Sequence, residues 1–475
     1  MSKLRAHQVA PALRLIELLR HHESALDESD TGIGKTAHAC EVIATLDRPT
    51  LCVIPKISVT GWKRMLDLFG TGASLINYEM LRTGRTPYGK WEFPGVARAK
   101  VMKCVSCQLE VNTIKPAPCY VHHLGIHCVE PKSMPHKYGK FSFSPAIKLL
   151  IFDEIHRCGG LDSLNAAMLI AARRQGIKTL GLSATPATTP LGMRALGYLL
   201  DLHKLTDFFT WARRFGVQRH PMYPGAFIWM AAKETQRDVM ESIGRLIIPA
   251  RGVRVRTTDV PGFPTRIVQT IAVDIESPEK MNAAHEAMRE ALNMLKDKAA
   301  SDKAPEHPLT KILRARQQVE LLKVPATVEL AQDFLAKGMS VALFVNFTQT
   351  VDELCKRLKT ECKIDGRNKG DERTRFIDGF QADEQRIIVL NSEAGGIAIS
   401  LHDTRGDFPR VGLVFPGYSA VVVSQVLGRL HRDGGKSPAH YRFVFAAKTI
   451  DVRVQRAFEN KLDNLAALCD SDLIP

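Results

Sequence analysis

The chain contains no apolar run near the ~18 residues that a membrane-spanning helix needs, which excludes an ordinary helical membrane protein. Its first residues, Met1-Ser2-Lys3-Leu4-Arg5, lead into an amphipathic helix pattern and lack the apolar stretch of a secretory signal. A cytoplasmic setting and no membrane partner are therefore expected. Negative charge is in deficit: 50 Asp and Glu stand against 65 Lys and Arg, and the net +15 suits a polyanionic partner. Cysteine is sparse outside one stretch. Of ten, four fall between 104 and 128, which points to a metal site rather than to disulfides. Low-complexity sequence is absent as well. What remains, 475 residues with 45% apolar and 24% charged side chains, is enough for two or three globular domains.

One stretch organises the first half. Ser29-Asp30-Thr31-Gly32-Ile33-Gly34-Lys35-Thr36 follows a short apolar segment, Ala25-Leu26, and opens a helical pattern from Thr36 to Leu46. Strand, loop and helix N-terminus in that order are the context of a phosphate-binding P-loop. Gly32 and Gly34 free the backbone of Thr31, Gly32, Ile33 and Gly34 to turn N–H groups toward phosphate oxygens. Lys35 then reaches the β- and γ-phosphates, and the Thr36 hydroxyl is placed to hold Mg²⁺. The motif lacks its first glycine, because Ser29 stands there. The bland alternative is a glycine-rich turn before a helix.

The apolar runs Leu51-Cys52-Val53-Ile54, Ser74-Leu75-Ile76, Leu149-Leu150-Ile151-Phe152 and Lys178-Thr179-Leu180-Gly181-Leu182 alternate with helical stretches and read as buried parallel strands. In an open parallel sheet, ligands bind outside the carboxyl ends of the strands. Asp153 and Glu154, at the end of the third run, would thus face the P-loop. Asp153 suits the Mg²⁺ shell, and Glu154 suits orienting and deprotonating a water. The alternative is a pair of acids capping the next helix.

A second α/β series follows, with strands at Val341–Val345, Cys362–Ile364, Arg386–Leu390 and Val411–Phe415, and no P-loop of its own. The helix that follows Val411–Phe415 ends in Gln425-x-x-Gly428-Arg429-x-His431-Arg432, and a final helix is expected over Ile450 to Leu468. Arg429 and Arg432, three apart on one helical face, can supply positive charge to a γ-phosphate from an opposing lobe.

These motifs carry a resemblance. G-x-G-K-T, D-E-x-H at Asp153–His156 and S-A-T-P at Ser183–Pro186, in that order, resemble motifs I, II and III of superfamily 2 helicases. Leu4-Arg5 through Gln8, Pro55-Lys56 through Trp62 and Asn77-Tyr78-Glu79 resemble, more narrowly, the Swi/Snf group of DNA translocases, close to its annealing-helicase branch. In the second half Ile364-Asp365-Gly366, Phe380-Gln381, Ser392 with Ala394-Gly395-Gly396, and Gln425 to Gly434 are similar to that group's second-lobe motifs. Where the group usually continues Gly-Gly-x-Gly-Leu-Asn-Leu, this chain has Ile397-Ala398-Ile399-Ser400-Leu401 after Gly396, which puts a contact of the asparagine in doubt. The shortness of the chain suggests a bacterium or a virus-infected cell.

The resemblance implies an α/β fold of two tandem RecA-like, doubly wound parallel-sheet lobes with ATP and Mg²⁺ between them. It implies Gln8 on the adenine edge, Gln425 with Arg429 and Arg432 among the catalytic groups, and coupling roles for His156, Ser183, Thr185 and Gly396. It also implies nucleic-acid contacts at Lys56, Trp62, Tyr78, Thr348 and Ser392. The expected division is 1–245 for lobe 1, 246–322 for a connector and helical segment, and 323–475 for lobe 2.

Residues 86–142 interrupt the α/β rhythm and are read as an insert in lobe 1. Cys104-x-x-Cys107 and Cys119-x-x-His122 have the spacing of zinc knuckles, with Cys128 nearby. Structural Zn²⁺ is expected on Cys104, Cys107, Cys119 and either His122 or Cys128; unligated thiols are the alternative. The expected function is an ATP-dependent DNA translocase or helicase acting on duplex or forked DNA. Its rivals are an RNA- or single-strand-stimulated helicase, and a zinc-dependent nucleic-acid-binding scaffold with a vestigial ATPase.

Overall fold

A computed structural model describes residues 3–92, 99–104, 110–113, 126–132, 140–220, 226–229, 233–296, 307–368, 370–392, 399–416, 420–453 and 455–456. In chain order the first half contributes β1 (Ser24–Asp27), β2 (Thr50–Ile54), β3 (Ser74–Asn77), β4 (Gly89–Glu92), β5 (Ala99–Cys104), β6 (Glu110–Thr113), β7 (Ile126–Lys132), β8 (Lys140–Phe143), β9 (Leu149–Asp153), β10 (Lys178–Leu182), β11 (Val217–Arg219), β12 (Phe227–Trp229) and β13 (Gly252–Val253). Six of them form one sheet in the order β13-β1-β10-β9-β2-β3, every pair parallel. The strands are continuous apolar runs because helices cover both faces. Leu26, Leu51, Val53, Leu150 and Phe152 pack into the core on one side, while Ala25, Cys52, Ile54, Leu149 and Ile151 pack into the core on the other. This period-two division fixes the register of every strand.

The second half builds a matching sheet from β14 (Arg266–Val273), β15 (Ser340–Val345), β16 (Lys363–Ile364), β17 (Ile387–Asn391), β18 (Arg410–Val414) and β19 (Ala439–Ala446). Its order is β14-β19-β18-β15-β17-β16, again all parallel. Two parallel-sheet α/β lobes are therefore present, as the motif rhythm predicts. β14 and β19 were not anticipated. β14 is an edge strand in which only Val268 is buried, and Gln269 and Thr270 break its apolar residues into short pieces. The stretch 246–322, expected as a connector and helical segment, accordingly supplies β13 to one sheet and β14 to the other. The helices Pro278–Lys296 and Pro308–Leu322 then pack against each other before β15 begins.

The insert leaves lobe 1 through an antiparallel ladder of β4 and β8, in which Trp91 lies opposite Phe141 with ring centroids 5.2 Å apart. Beyond it β6, β5 and β7 form a three-stranded antiparallel sheet. Cys104 and Cys128 belong to β5 and β7; Cys107, Cys119 and His122 lie outside the described residues. Among the described residues no group of three His, Cys, Asp or Glu side chains could hold a metal ion. Among them, too, no helix is long and apolar enough to cross a membrane.

A buried charge cluster ties the helical pair to the second sheet. Lys323 Nζ lies 3.3 Å from Asp451 and donates to the Val444 carbonyl, while His285 Nε2 lies 3.3 Å from the other Asp451 oxygen. Burial works to raise the Asp451 pKa, yet the Lys323 charge and the His285 hydrogen bond hold it down at about 2. A folded-state value below the ordinary 3.8 contributes stability that is full above about pH 4 and is lost as pH falls through 2. Asp451→Asn strands the Lys323 ammonium, so urea unfolding at pH 7 is expected to show a loss of about 3 kcal/mol, and this loss is expected to shrink toward pH 2.

Candidate active site between the two lobes

The site is assembled from strand ends. β1 delivers Asp27 to a loop, Glu28 to Gly34, and the helix Lys35–Leu46 begins immediately after it. Gly32 and Gly34 have φ of 90° and 108°, the left-handed region that a side chain resists. At Gly34 there is also no room, since a Cβ there would stand 2.2 Å from Gln8 Nε2. Gln8 is buried and spends its amide internally: Nε2 donates to the Ile33 carbonyl at 2.8 Å, and Oε1 accepts the Arg5 N–H at 3.1 Å. In this arrangement Gln8 braces the loop. Lys35 Nζ donates to the carbonyls of Ser29 and Asp30, at 2.7 and 3.0 Å, which holds its charge over the loop. Beneath it Asp27 accepts the Ser29 N–H with one oxygen and meets His38 Nδ1 at 2.7 Å with the other, both side chains fully buried.

β9 brings up the acidic pair. Glu154 has φ 54°, a left-handed conformation that costs a non-glycine residue roughly 1–2 kcal/mol, and so turns away from the strand direction. Its carboxylate lies 3.3 Å from His156 Nδ1, which in turn meets the Ser183 hydroxyl at 3.1 Å; that hydroxyl accepts the Thr185 N–H. The end of β9 and the end of β10 are joined in this way. Burial, followed by the neighbouring Glu154 charge, pushes Asp153 up to about 6. Burial opposes ionisation of Glu154 too, but the His156 hydrogen bond and charge, then Lys35 and Arg429, keep it at about 2. Two adjacent acids are thus set apart in their readiness to carry charge.

Trp62 and Tyr78, expected at nucleic acid, are instead 2% and 1% exposed. Trp62 Nε1 donates to Asp153 Oδ2 at 2.8 Å, and Tyr78 OH donates to the Asp153 carbonyl at 2.7 Å. Their rings cover the strand ends, and their single polar atoms aim the acidic motif. Ser392 is likewise buried, whereas Lys56 and Thr348 are exposed at their strand ends. Gly396 lies outside the described residues.

The second lobe closes over the loop. Arg429 NH1 and Arg432 NH2 both donate to the Ile399 carbonyl, at 3.1 and 3.0 Å, and Gln425 is buried on the same helix. Burial, then the Arg432 charge, pulls Arg429 down to about 9, so it remains a cation at neutral pH. A Cβ on Gly32 would stand 2.7 Å from the His431 carbonyl oxygen and 3.3 Å from Arg432 Cγ; one on Gly428 would stand 2.6 Å from Thr31. Arg5 pairs across the lobes with Asp433 at 2.5 Å, with His7 3.5 Å from the same carboxylate. A cavity of about 470 Å³ opens beside these contacts and is bordered by Gly32, Gly34, Thr36, Trp62, Asp153 and Arg432. Left-handed glycines, a lysine over the loop, a hydroxyl and a carboxylate on one cavity wall, and Arg432 on the other, with Arg429 behind it, fit a nucleoside triphosphate with Mg²⁺.

No family model matches the chain. A protein of Acanthamoeba polyphaga mimivirus, provisionally named ATP-dependent RNA helicase L364, is 30% identical over 99% of this chain and 84% of its own length. A Caenorhabditis elegans homologue of SWI/SNF-related matrix-associated actin-dependent regulator of chromatin subfamily A-like protein 1 is 23% identical over 92% of this chain; the chain spans 58% of its length. Human DNA repair and recombination protein RAD54B is 27% identical over 27% of this chain and 14% of its own length. The chain belongs to the superfamily 2 helicases, nucleic-acid-dependent ATP-hydrolysing enzymes with a tandem RecA-like core.

Sequence reasoning missed Asp27, His38, Arg5 and Asp433. Asp27 and His38 had a signal, a charged residue at a strand end with a histidine one helical turn beyond the P-loop lysine. The Arg5–Asp433 pair had none, because its partners lie in different lobes. Trp62→Phe removes the indole donor from Asp153. Half-maximal hydrolysis is then expected to require about tenfold more Mg²⁺, as when an outer partner of a metal ligand is lost; a magnesium titration of steady-state ATPase measures it.

Proposed function

We propose that this enzyme is an ATP-dependent DNA translocase that couples hydrolysis between its lobes to movement on, or remodelling of, duplex or forked DNA. The observation that carries the reading is the approach of Arg432 to Gly32 across the lobe boundary, which joins the only described phosphate loop to cations that the other lobe supplies. Lys35, Thr36 and the N–H groups of Thr31 to Gly34 would hold the phosphates, and Thr36 with Asp153 would hold Mg²⁺. The metal, when bound, would supply positive charge that offsets the negative charge of the phosphates.

Glu154, kept ionised by His156, orients the attacking water and takes its proton. Arg429 and Arg432 leave the Ile399 carbonyl for the γ-phosphoryl oxygens, where negative charge grows. His156 and the Ser183 hydroxyl tie Glu154 to the Ser183–Pro186 loop, so a change at the carboxylate is felt there. Lys56 and Thr348, both exposed and each just after a strand of its own lobe, would contact phosphates of the nucleic acid.

The DNA reading draws support from the chromatin and DNA-repair names of two relatives and from the net +15 charge. A second reading, an RNA-stimulated helicase, is favoured by the name of the mimiviral relative. Steady-state ATPase measured with no nucleic acid, single-stranded DNA, duplex DNA, forked DNA and RNA separates them. Stimulation by duplex or forked DNA is expected, and stimulation by RNA alone would transfer the enzyme to the second reading. Glu154→Gln should abolish hydrolysis, and Arg432→Ala should lower kcat by about 10³; wild-type protein no faster than Glu154→Gln would sink both readings. For the insert, zinc on Cys104, Cys107, Cys119 and His122 or Cys128 is proposed from spacing, and close to one Zn²⁺ per chain is expected by elemental analysis of protein prepared without chelators.

A further inference from the structure

Ser29 is where the phosphate loop departs from its usual composition, and the reading above leaves its side chain unused. It is fully buried, and its backbone is not among those with positive φ, so no glycine is required there. Its hydroxyl accepts the Val255 N–H at 3.1 Å. The neighbouring bonds join the same two segments: Asp30 N–H donates to the Val255 carbonyl at 3.0 Å, and Thr257 N–H donates to the Asp30 carboxylate at 2.9 Å. Glu28 N–H donates to the Val253 carbonyl, and the Glu28 carboxylate pairs with Arg254 at 2.6 Å. The floor of the loop is thus laced to the segment that follows β13.

That segment continues without interruption to the second lobe. Phe263 meets the His431 ring edge-on, with centroids 4.8 Å apart, and His431 Nε2 donates to the Pro264 carbonyl at 2.8 Å. His431 lies between Arg429 and Arg432, and its own carbonyl abuts Gly32. Loop, strap and arginine segment form a closed ring of contacts. A strap anchored at both ends fixes the spacing of the two walls, and a misplacement of about 1 Å in a reacting group can cost on the order of 10²-fold in rate.

We infer that Ser29 and His431 are positioning residues which, through the strap from Val253 to Pro264, set the spacing between the phosphate loop and the guanidinium groups of Arg429 and Arg432 during hydrolysis. The inference rests on the ATP-site reading above. It makes an expectation opposite to that of motif composition, because Ser29→Gly restores the usual glycine yet removes the anchor.

The test is steady-state ATPase on the full chain for wild type, Ser29→Gly, Ser29→Thr, His431→Phe, the Ser29→Gly/His431→Phe double variant and Glu154→Gln. Ser29→Gly and His431→Phe are each expected to lower kcat about tenfold with KM for ATP within about threefold. Ser29→Thr, which keeps a hydroxyl, is expected to retain the rate. Both residues act through one strap, so the double variant should lose little more than the worse single one.

Ser29→Gly at the wild-type rate, Ser29→Gly and Ser29→Thr equally slow, a change in KM alone, or a double variant at the roughly hundredfold product of the singles would each overturn the inference. Melting curves identify any variant that fails to fold; should His431→Phe do so, the contrast between glycine and threonine at position 29 decides. Wild type matching Glu154→Gln would instead overturn the ATP-site reading itself.

Discussion

The close approach of Gly32 to the backbone of His431 and Arg432 is the constraint around which the molecule is arranged. Two sheets, each complete with its own core, meet where a peptide without a side chain lets them touch. Everything chemical lies within reach of that point: the loop lysine, the acidic pair at the end of β9, and Arg429 and Arg432 at and just past the end of the helix Ala420–Leu430. Lobe 1 carries the loop, Lys35 and the acidic pair, and the other lobe carries Arg429 and Arg432. On the proposed reading, the catalytic assembly is a function of lobe position.

The remaining groups brace the contributions of lobe 1. Asp27 and His38 fix the floor of the loop, Gln8 its crest, and Trp62 and Tyr78 the carboxylate and carbonyl of Asp153. Each is a buried polar contact within one lobe. Between the lobes, the close backbone packing at Gly32 and Gly428 is joined by the Arg5–Asp433 pair, whose arginine is exposed and which is cheap to break.

Much of this was legible in the amino-acid order, for a physical reason. A parallel sheet covered on both faces writes its strands as apolar runs, and ligands bind at their carboxyl ends, so the residues after each run declare themselves. Lys35, Asp153 and Glu154 were read that way, and Arg429 and Arg432 from their spacing of three on one helical face. β14 was not, since it is an edge strand with one buried residue, nor was β19, whose apolar positions are interrupted by His440 and Arg442. Trp62 and Tyr78 illustrate another limit: an aromatic beside a motif reads alike whether its ring covers nucleic acid or a strand end. Ser29 illustrates a third. Its partner, Val255, is far along the chain, and no local pattern links a hydroxyl to an N–H across such a distance.

β13 has a further consequence. It is two residues long, and Gly252 lies so close to β1 that a Cβ would stand 2.6 Å from the Leu26 carbonyl oxygen. This short strand is what covers the outer edge of β1, whose N–H and C=O groups would otherwise face water in a row. An uncovered row of that sort is a template for pairing with another chain. The same stretch that spaces the catalytic walls therefore guards the phosphate-loop strand against aggregation, and a chain that let go of it would lose solubility together with rate.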